Sequence, residues 1–281
     1  MKTLHLTFRV IFDAFLRFNR DDGWAIASHI SLSILMAMFP FLIVVTAIAG
    51  VIGSTNLADE VARLIFAAWP HQVAGPIAAE IHNVLTTRRG GVLTFGAVLA
   101  VYFASSGVES LRIGLNRAYG LQEQRSWWLL RLESIGYVLV SAFALLALAF
   151  LVVLGPLIFW TAARYAPWIE PLQSHFDLAR FGASALVLAV ALFIAHMWLP
   201  AGRRGLSKVW PGIAATMVLW LACGFTFGHY LADFAYTYVS YYAGLASAMI
   251  ALVFLYYSAW IFVYCGELNA AIARMREGTQ L

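Results

Sequence analysis

Six stretches of this chain are long and apolar enough to cross a lipid bilayer, and no other feature restricts its fold as strongly. A helix needs about 20 consecutive apolar residues to span the hydrocarbon core of a membrane. Only 11% of the 281 residues are charged, which is too few to solvate the surface of a soluble protein of this size. The sequence therefore predicts an all-α, polytopic membrane protein whose six transmembrane helices cover residues 24–53, 91–115, 134–161, 181–199, 210–233 and 245–266.

Two further segments are amphipathic and too polar to cross the membrane. In residues 1–22, aromatic and aliphatic side chains recur at helical spacing between charged ones, which predicts a helix lying on the cytoplasmic membrane surface. In residues 56–89, charges and Pro or Gly breaks interrupt the apolar pattern and predict an external amphipathic helical hairpin. We divide the chain into an interfacial helix (1–22), a six-helix membrane domain that includes the hairpin (23–272) and a cytoplasmic tail (273–281).

The basic residues indicate how the protein is oriented in its membrane. With six spans, 13 of the 18 Lys and Arg residues fall on the side of the N-terminus, and this side is cytoplasmic by the positive-inside rule. Both termini are then expected in the cytoplasm. The same asymmetry explains the net charge of +4 without a nucleic-acid partner, so we expect none.

Ionisable residues inside a spanning helix are costly, so they are the first candidates for function. On the second span Arg112 follows Glu109 by three positions, which places both on one helical face, and Asn116 extends this polar stripe. With His29 of the first span, these residues predict a substrate cavity open to the cytoplasm. The alternative is a neutralised Glu–Arg pair that fixes the depth of the helix in the membrane.

The sequence offers no set of residues suited to covalent or metal-assisted catalysis. It has no nucleophile elbow, no zinc-protease motif and no phosphate-binding loop. The two cysteines, Cys223 and Cys265, lie inside apolar segments without nearby ligand partners. We therefore expect no enzymatic activity, no catalytic residue, no cofactor and no metal site.

Two segments resemble a known family. The segments GVLTFGAVLAVYFASSGVESLRIGLNRAYG (91–120) and YYAGLASAMIALVFLYYSAWIFVYCGELNAAI (241–272) are similar to the YihY/BrkB family of bacterial inner-membrane proteins. The most specific pieces are NRAYG at 116–120 and GELN at 266–269. The resemblance implies a six-helix protein of the bacterial inner, or plasma, membrane. It also implies further substrate-binding candidates near the cytoplasmic surface, which are Asn116, Arg117, Tyr119, Glu267 and Asn269.

The resemblance implies less about activity. Family members have been linked to serum resistance in pathogens, a virulence-associated trait, and to export of lipid precursors, and an older family label is ribonuclease BN. We expect a transporter or flippase-like protein that handles a lipid-like or amphiphilic substrate. The alternative is a non-catalytic envelope scaffold. A membrane-associated tRNA-processing ribonuclease is disfavoured, because the acidic residues are isolated along the chain. The expected partners are membrane lipids, the lipid-like substrate and a second copy of the chain.

Overall fold

The computed structural model of the chain describes residues 2–51, 90–202, 204–242, 245–276 and 278. The predicted hairpin at 56–89 lies outside these residues, and so do residues 277 and 279–281 of the predicted tail. In the described part, a π-helix (Phe150–Leu154) and a 3₁₀ helix (Pro167–Leu172) flank α5. The α-helices are α1 (Lys2–Arg20), α2 (Gly23–Val51), α3 (Gly90–Ala118), α4 (Trp127–Ala149), α5 (Gly155–Tyr165), α6 (Gln173–Trp198), α7 (Leu206–Tyr242) and α8 (Ala246–Arg276).

The helices confirm the predicted fold class. Within the described residues, five helical segments are long and apolar enough to cross a membrane, and a shorter apolar stretch of α2, Gly23–Met38, adds to them. Each of the six predicted spans overlaps one of these segments, and the first, 24–53, extends beyond the shorter stretch. The chain is an all-α, polytopic integral membrane protein. The five long segments are Thr94–Ala118, Trp127–Tyr165, Trp168–Trp198, Leu206–Ala232 and Ala248–Arg276.

Large apolar side chains on the spanning helices point away from the protein interior. Phe143 of α4 is 73% exposed and Leu186 of α6 is 65% exposed. In water such a surface would drive aggregation. In a bilayer the lipid tails cover it, so these side chains mark the lipid-facing surfaces of α4 and α6.

The chain folds into two compact units, and the helices α3, α7 and α8 each contribute to both. The first unit comprises Met1–Asp21, Arg112–Val218 and Tyr264–Leu281. It therefore holds α1, α4, α5 and α6 and one end of each shared helix. The second unit comprises Asp22–Leu111 and Leu219–Val263, and it holds α2 and the remainder of the shared helices.

The helix α1 buries one face in the first unit and leaves an apolar stripe exposed. Val10, Ala14 and Phe18 are buried, and the Tyr264 hydroxyl of α8 donates to the carbonyl oxygen of Ile11 over 3.1 Å. The exposed stripe is formed by Phe8, Ile11, Phe12 and Phe15. These residues have the spacing that predicted an amphipathic helix, and the location of α1 on the membrane surface stays a prediction.

A proline explains why α4 does not run straight into α5. Pro156 has no N–H, so the carbonyl four residues earlier, that of Val152, loses its ordinary helical donor. The π-helix Phe150–Leu154 lies at this position, and Nη1 of Arg180 lies 3.4 Å from the freed Val152 oxygen. Arg180 is held in turn by Asp177 over 2.7 Å. This pair at i, i+3 also favours helix, and α6 begins at Gln173 rather than at the predicted residue 181.

The helices α7 and α8 approach each other closely at Gly212 in the first unit. The Gly212 N–H donates to Oδ1 of Asn269 over 2.6 Å. A Cβ at this position would overlap the Asn269 side chain and the carbonyl oxygen of Cys265. A residue without a side chain is therefore needed for this helix contact, as is common between membrane helices.

We expect Gly212→Ala to destabilise the protein by about 1–3 kcal/mol, because the added methyl group must push α8 or Asn269 aside. The matched control is Gly224→Ala on the same helix, where a Cβ would meet nothing within 4 Å. The measurement is the midpoint of thermal unfolding in detergent. Equal midpoints for the two variants would show that the contact tolerates a larger residue.

Candidate functional site

Tyr119 joins three parts of the first unit. Its hydroxyl lies 3.3 Å from Nδ1 of His196 on α6 and accepts a hydrogen bond from Nδ2 of Asn269 on α8 over 3.4 Å. The guanidinium carbon of Arg204, from the connection between α6 and α7, lies 4.2 Å from the centre of the Tyr119 ring. Burial raises the pKa of Tyr119 to about 12, so the side chain stays a neutral phenol that both donates and accepts.

The position of Tyr119 follows from how α3 ends. Gly120 has φ of +65°, a left-handed conformation that glycine adopts without steric cost. The Leu121 N–H donates to the Asn116 carbonyl over 2.8 Å, and the Gly120 N–H donates to the Arg117 carbonyl over 2.9 Å. These two bonds form a Schellman motif. The NRAYG segment is therefore the C-terminal stop of α3, and it places the phenol at the helix end.

Asn116 uses both ends of its side-chain amide. Its Oδ1 accepts the N–H of Ala201 over 2.7 Å, and its Nδ2 donates to a carboxylate oxygen of Glu123 over 3.2 Å. The side chain is only 7% exposed. Asn116 thereby fixes the connection between α6 and α7, where Gly202 makes the turn with φ of +79°.

A group of charged residues follows α3. Arg125 binds Glu123 and Glu133, each over 2.7 Å, and also donates to the carbonyl of Leu199 over 3.3 Å. The hydrogen bond from Arg125 is the main reason why the pKa of Glu123 falls from 4.5 to about 2. The same bond raises the pKa of Arg125. This cluster ties the segment after α3 to the end of α6.

Arg112, one of the predicted substrate residues, is engaged with α4. It is 3% exposed, and its Nη2 donates to Oγ of Ser134 over 2.8 Å and to the carbonyl of Leu130 over 3.1 Å. These bonds connect the end of α3 to the first turns of α4. A direct role for Arg112 in binding substrate stays a prediction.

Arg117 and Glu267 lie near the end of α1. The exposed Arg117 donates to the carbonyl of Asp21 over 3.1 Å. Glu267 is 1% exposed, and its carboxyl interacts with Asp21 and Arg274. Both predicted residues therefore contact the turn that follows α1.

The remaining two predicted residues, His29 and Glu109, belong to the second unit. Nδ1 of His29 on α2 lies 2.5 Å from Oγ of Ser110 on α3, and Ser33 lies within 3.5 Å of the same nitrogen. A Cβ at Gly107 would lie 3.5 Å from that of Ser33, so α2 and α3 pack closely here. Glu109 is half-buried and precedes Ser110 on α3.

The predicted residues thus form two groups. Tyr119 and Asn269 bind each other directly, and Arg112, Asn116, Arg117 and Glu267 lie in the same unit. In the described part of the chain, no three His, Cys, Asp or Glu side chains come together as a metal site requires. Sequence reasoning missed the contributions of Glu123, Arg125, Ser134, Arg204 and Gly212 to this network. Of these, Arg125 and Arg204 stood out in the sequence, but only as basic residues counted for orientation.

Comparison with known proteins supports the resemblance noted above. The sequence profile of the family described as Virulence factor BrkB matches residues 14–281. The chain is also 26% identical over 265 residues to the Putative ribonuclease-like protein YfkH of Bacillus subtilis (strain 168), covering 94% of this chain and 95% of that protein. No solved structure matches the chain.

We expect the stability of the protein to depend on acid pH through Glu123. Because folding lowers the pKa of this carboxyl from 4.5 to about 2, its stabilising effect is complete above pH 4.5 and is lost as the pH falls through about 2. Glu123→Gln should therefore be less stable than wild type at neutral pH, and the difference should shrink over that window. Chemical unfolding in detergent at a series of pH values measures this.

The matched control is Glu170→Gln, which neutralises an exposed carboxyl in the 3₁₀ helix and should change stability little at neutral pH. A constant difference between wild type and Glu123→Gln from neutral pH to about pH 2 would contradict the assignment of the low pKa to Glu123.

Proposed function

The chain belongs to the BrkB family, whose profile it matches over residues 14–281, and we propose that it is a transporter or flippase-like handler of a lipid-like, amphiphilic substrate. The firm basis is that it is an integral membrane protein. The proposal adds the class of substrate and its movement across the membrane. It rests on the polar contact between α2 and α3 in the second unit.

This contact is the observation that carries the proposal. His29 bonds to Ser110 within two apolar helices, although polar groups on spanning helices are costly and mark either helix association or a substrate path. A contact that serves association alone would be buried. Ser110 is 6% exposed, whereas the imidazole of His29 remains exposed. A polar group that reaches the outside of an apolar helix suits the headgroup of an amphiphile.

The surface around the spanning helices supports a substrate that arrives through the membrane. Exposed tryptophans stand at the start of α4, at Trp127 and Trp128, and near the start of α6, at Trp168. Such aromatic side chains favour the boundary between lipid tails and headgroups. An amphiphile dissolved in the bilayer shares this boundary, so it reaches the helices laterally and needs no aqueous entrance.

We also propose that the membrane is the bacterial inner membrane and that both termini are cytoplasmic. The support is the excess of Lys and Arg, 13 of 18, on the side of the N-terminus. A fluorescent protein fused to the C-terminus should then fold and fluoresce. A dark fusion, with an active periplasmic reporter at the same position, would reverse the orientation.

Two other functions remain as alternatives. A non-catalytic envelope scaffold would use the same helices without moving a substrate. A membrane-associated ribonuclease is suggested by the name of the relative YfkH, which is described as ribonuclease-like. Our proposal is that the protein is not an enzyme and does not bind nucleic acid. Metal-dependent RNA cleavage by the purified protein, retained through successive purification steps, would support the ribonuclease instead.

We expect purified protein in liposomes to accelerate the movement of fluorescently labelled phospholipids between the leaflets. His29→Ala should slow this movement by about tenfold, the effect of losing about 1.4 kcal/mol of interaction along the path. Ser110→Ala should act in the same direction, because it frees the imidazole. The readout is the rate at which a membrane-impermeant reductant quenches the label.

The matched control is Ser28→Ala, since among the described residues the exposed Ser28 hydroxyl bonds within its own helix, to the carbonyl of Trp24 over 2.9 Å. It should leave the rate unchanged. If the wild-type protein moves none of the labelled lipids faster than empty liposomes do, the transporter proposal loses its support and the scaffold is favoured.

A further inference from the structure

The connection between α6 and α7 holds a cation whose hydrogen-bonding capacity is largely unused. The side-chain atoms Nε and Nη1 of Arg204 are buried and have no hydrogen-bond partner among the described residues. We propose that Arg204 is the core of an oxyanion-binding site, and that the ligand is a phosphate group, carried either by a lipid or by free phosphate.

The guanidinium of Arg204 is held in a defined place. Its Nη2 donates to the carbonyl of Ala201 over 2.6 Å, and the group lies 4.2 Å above the ring of Tyr119. This cation–π contact leaves the N–H groups at the edge of the guanidinium plane free to bind another acceptor. The side chain is therefore oriented before any ligand arrives, which reduces the entropy lost on binding.

The charge of Arg204 is not balanced by the protein around it. In the described part of the chain, Arg204 makes no ion pair with a carboxylate. The carboxylate of Glu123, which binds Asn116, is paired with Arg125. Burial lowers the pKa of Arg204 from its ordinary value, although arginine stays protonated in proteins. A cation with buried N–H groups that lack a partner is unfavourable, and an anionic ligand supplies that partner.

The turn around Arg204 is anchored by hydrogen bonds on both sides. Ala201, which binds Arg204 through its carbonyl, is itself anchored through its N–H to Asn116 over 2.7 Å. On the other side, the carbonyl of Leu199 accepts a bond from Arg125. The sequence adds Arg203 and Lys208 to the same short stretch. A basic and anchored turn of this kind suits phosphate, which carries more charge than a single carboxylate and accepts several N–H donors.

This inference goes beyond the proposed function and does not depend on it. The site lies in the first unit, whereas the contact of His29 with Ser110 lies in the second. Phosphate binding is measured without any transport. A failure of the lipid-movement assay would leave the binding test standing, and the reverse also holds.

The experiment compares the full-length chain with two variants in an uncharged detergent. Arg204→Met removes the guanidinium at similar volume, and Arg164→Met makes the same change at an exposed arginine of α5. One arm titrates inorganic phosphate against chloride at constant ionic strength. The other adds phosphatidic acid or, as its uncharged counterpart, diacylglycerol. The readout in both arms is the shift of the thermal unfolding midpoint, which rises with occupancy of a site in the folded state.

We expect wild type and Arg164→Met to be stabilised by at least one of the two phosphate probes and not by chloride or diacylglycerol. The dissociation constant should rise about tenfold or more in Arg204→Met, as for loss of a charge-assisted contact. Stabilisation in both arms identifies the phosphate group itself as the ligand. Stabilisation by phosphatidic acid alone identifies a lipid headgroup.

The inference is overturned if neither probe shifts the wild-type midpoint, because the N–H groups of Arg204 would then bind no phosphate group. It is equally overturned if Arg204→Met and Arg164→Met weaken binding to the same degree. Should Arg204→Met not fold, Arg204→Lys keeps the charge but not the planar fork. Binding by this variant with unchanged affinity would exclude Arg204 as the recognising group.

Discussion

Several polar groups buried in the first unit form hydrogen bonds between helix ends, and the bonds of Asn269 and His196 meet at Tyr119. A membrane offers no water to replace a broken hydrogen bond, so such groups must find their partners within the protein. The bond from Asn269 to Tyr119 links the end of α3 to α8, and the bond from Gly212 to Asn269 brings in α7. A change at one of these residues therefore alters the partners of the others, as expected for a connected network in a medium of low dielectric.

The candidate residues fall into two classes, according to whether their polar groups are already bonded to other parts of the protein. Asn116 and Asn269 use both amide groups in bonds to the protein, and Arg112 binds α4. Replacing any of them acts first on stability, and a loss of activity would not by itself identify a ligand contact. His29 and Arg204 are different. One remains exposed and the other has buried donors without a partner in the described part of the chain, so substitution there reports more directly on ligand binding.

Hydropathy was sufficient to predict the spans. Long apolar runs with few charges are stable in the bilayer, and there they form helices because a helix satisfies its own backbone hydrogen bonds. The family resemblance was sufficient to nominate Tyr119 and Asn269, which bind each other although 150 positions separate them. It did not reveal Arg204. Its contact with Tyr119 depends on the turn at Gly202 and on the anchoring of Ala201, and no periodic pattern records such contacts. Likewise, Pro156 signals a disturbed helix, but the sequence does not show that Arg180 takes over the freed carbonyl.

The relative YfkH is named ribonuclease-like, which suggests RNA cleavage. The membrane location of this chain suggests instead the binding of a ligand within or at the bilayer. A shared fold does not transfer an activity, because activity depends on particular side chains at a site. Here the two features proposed as binding sites both present polar groups, which suit a polar headgroup. The second unit offers a polar contact at the surface of apolar helices. The first offers Arg204, two of whose nitrogen atoms are buried without a hydrogen-bond partner among the described residues. Neither feature needs a nucleophile or a metal. The ligand measured at each proposed site therefore decides between these kinds of chemistry.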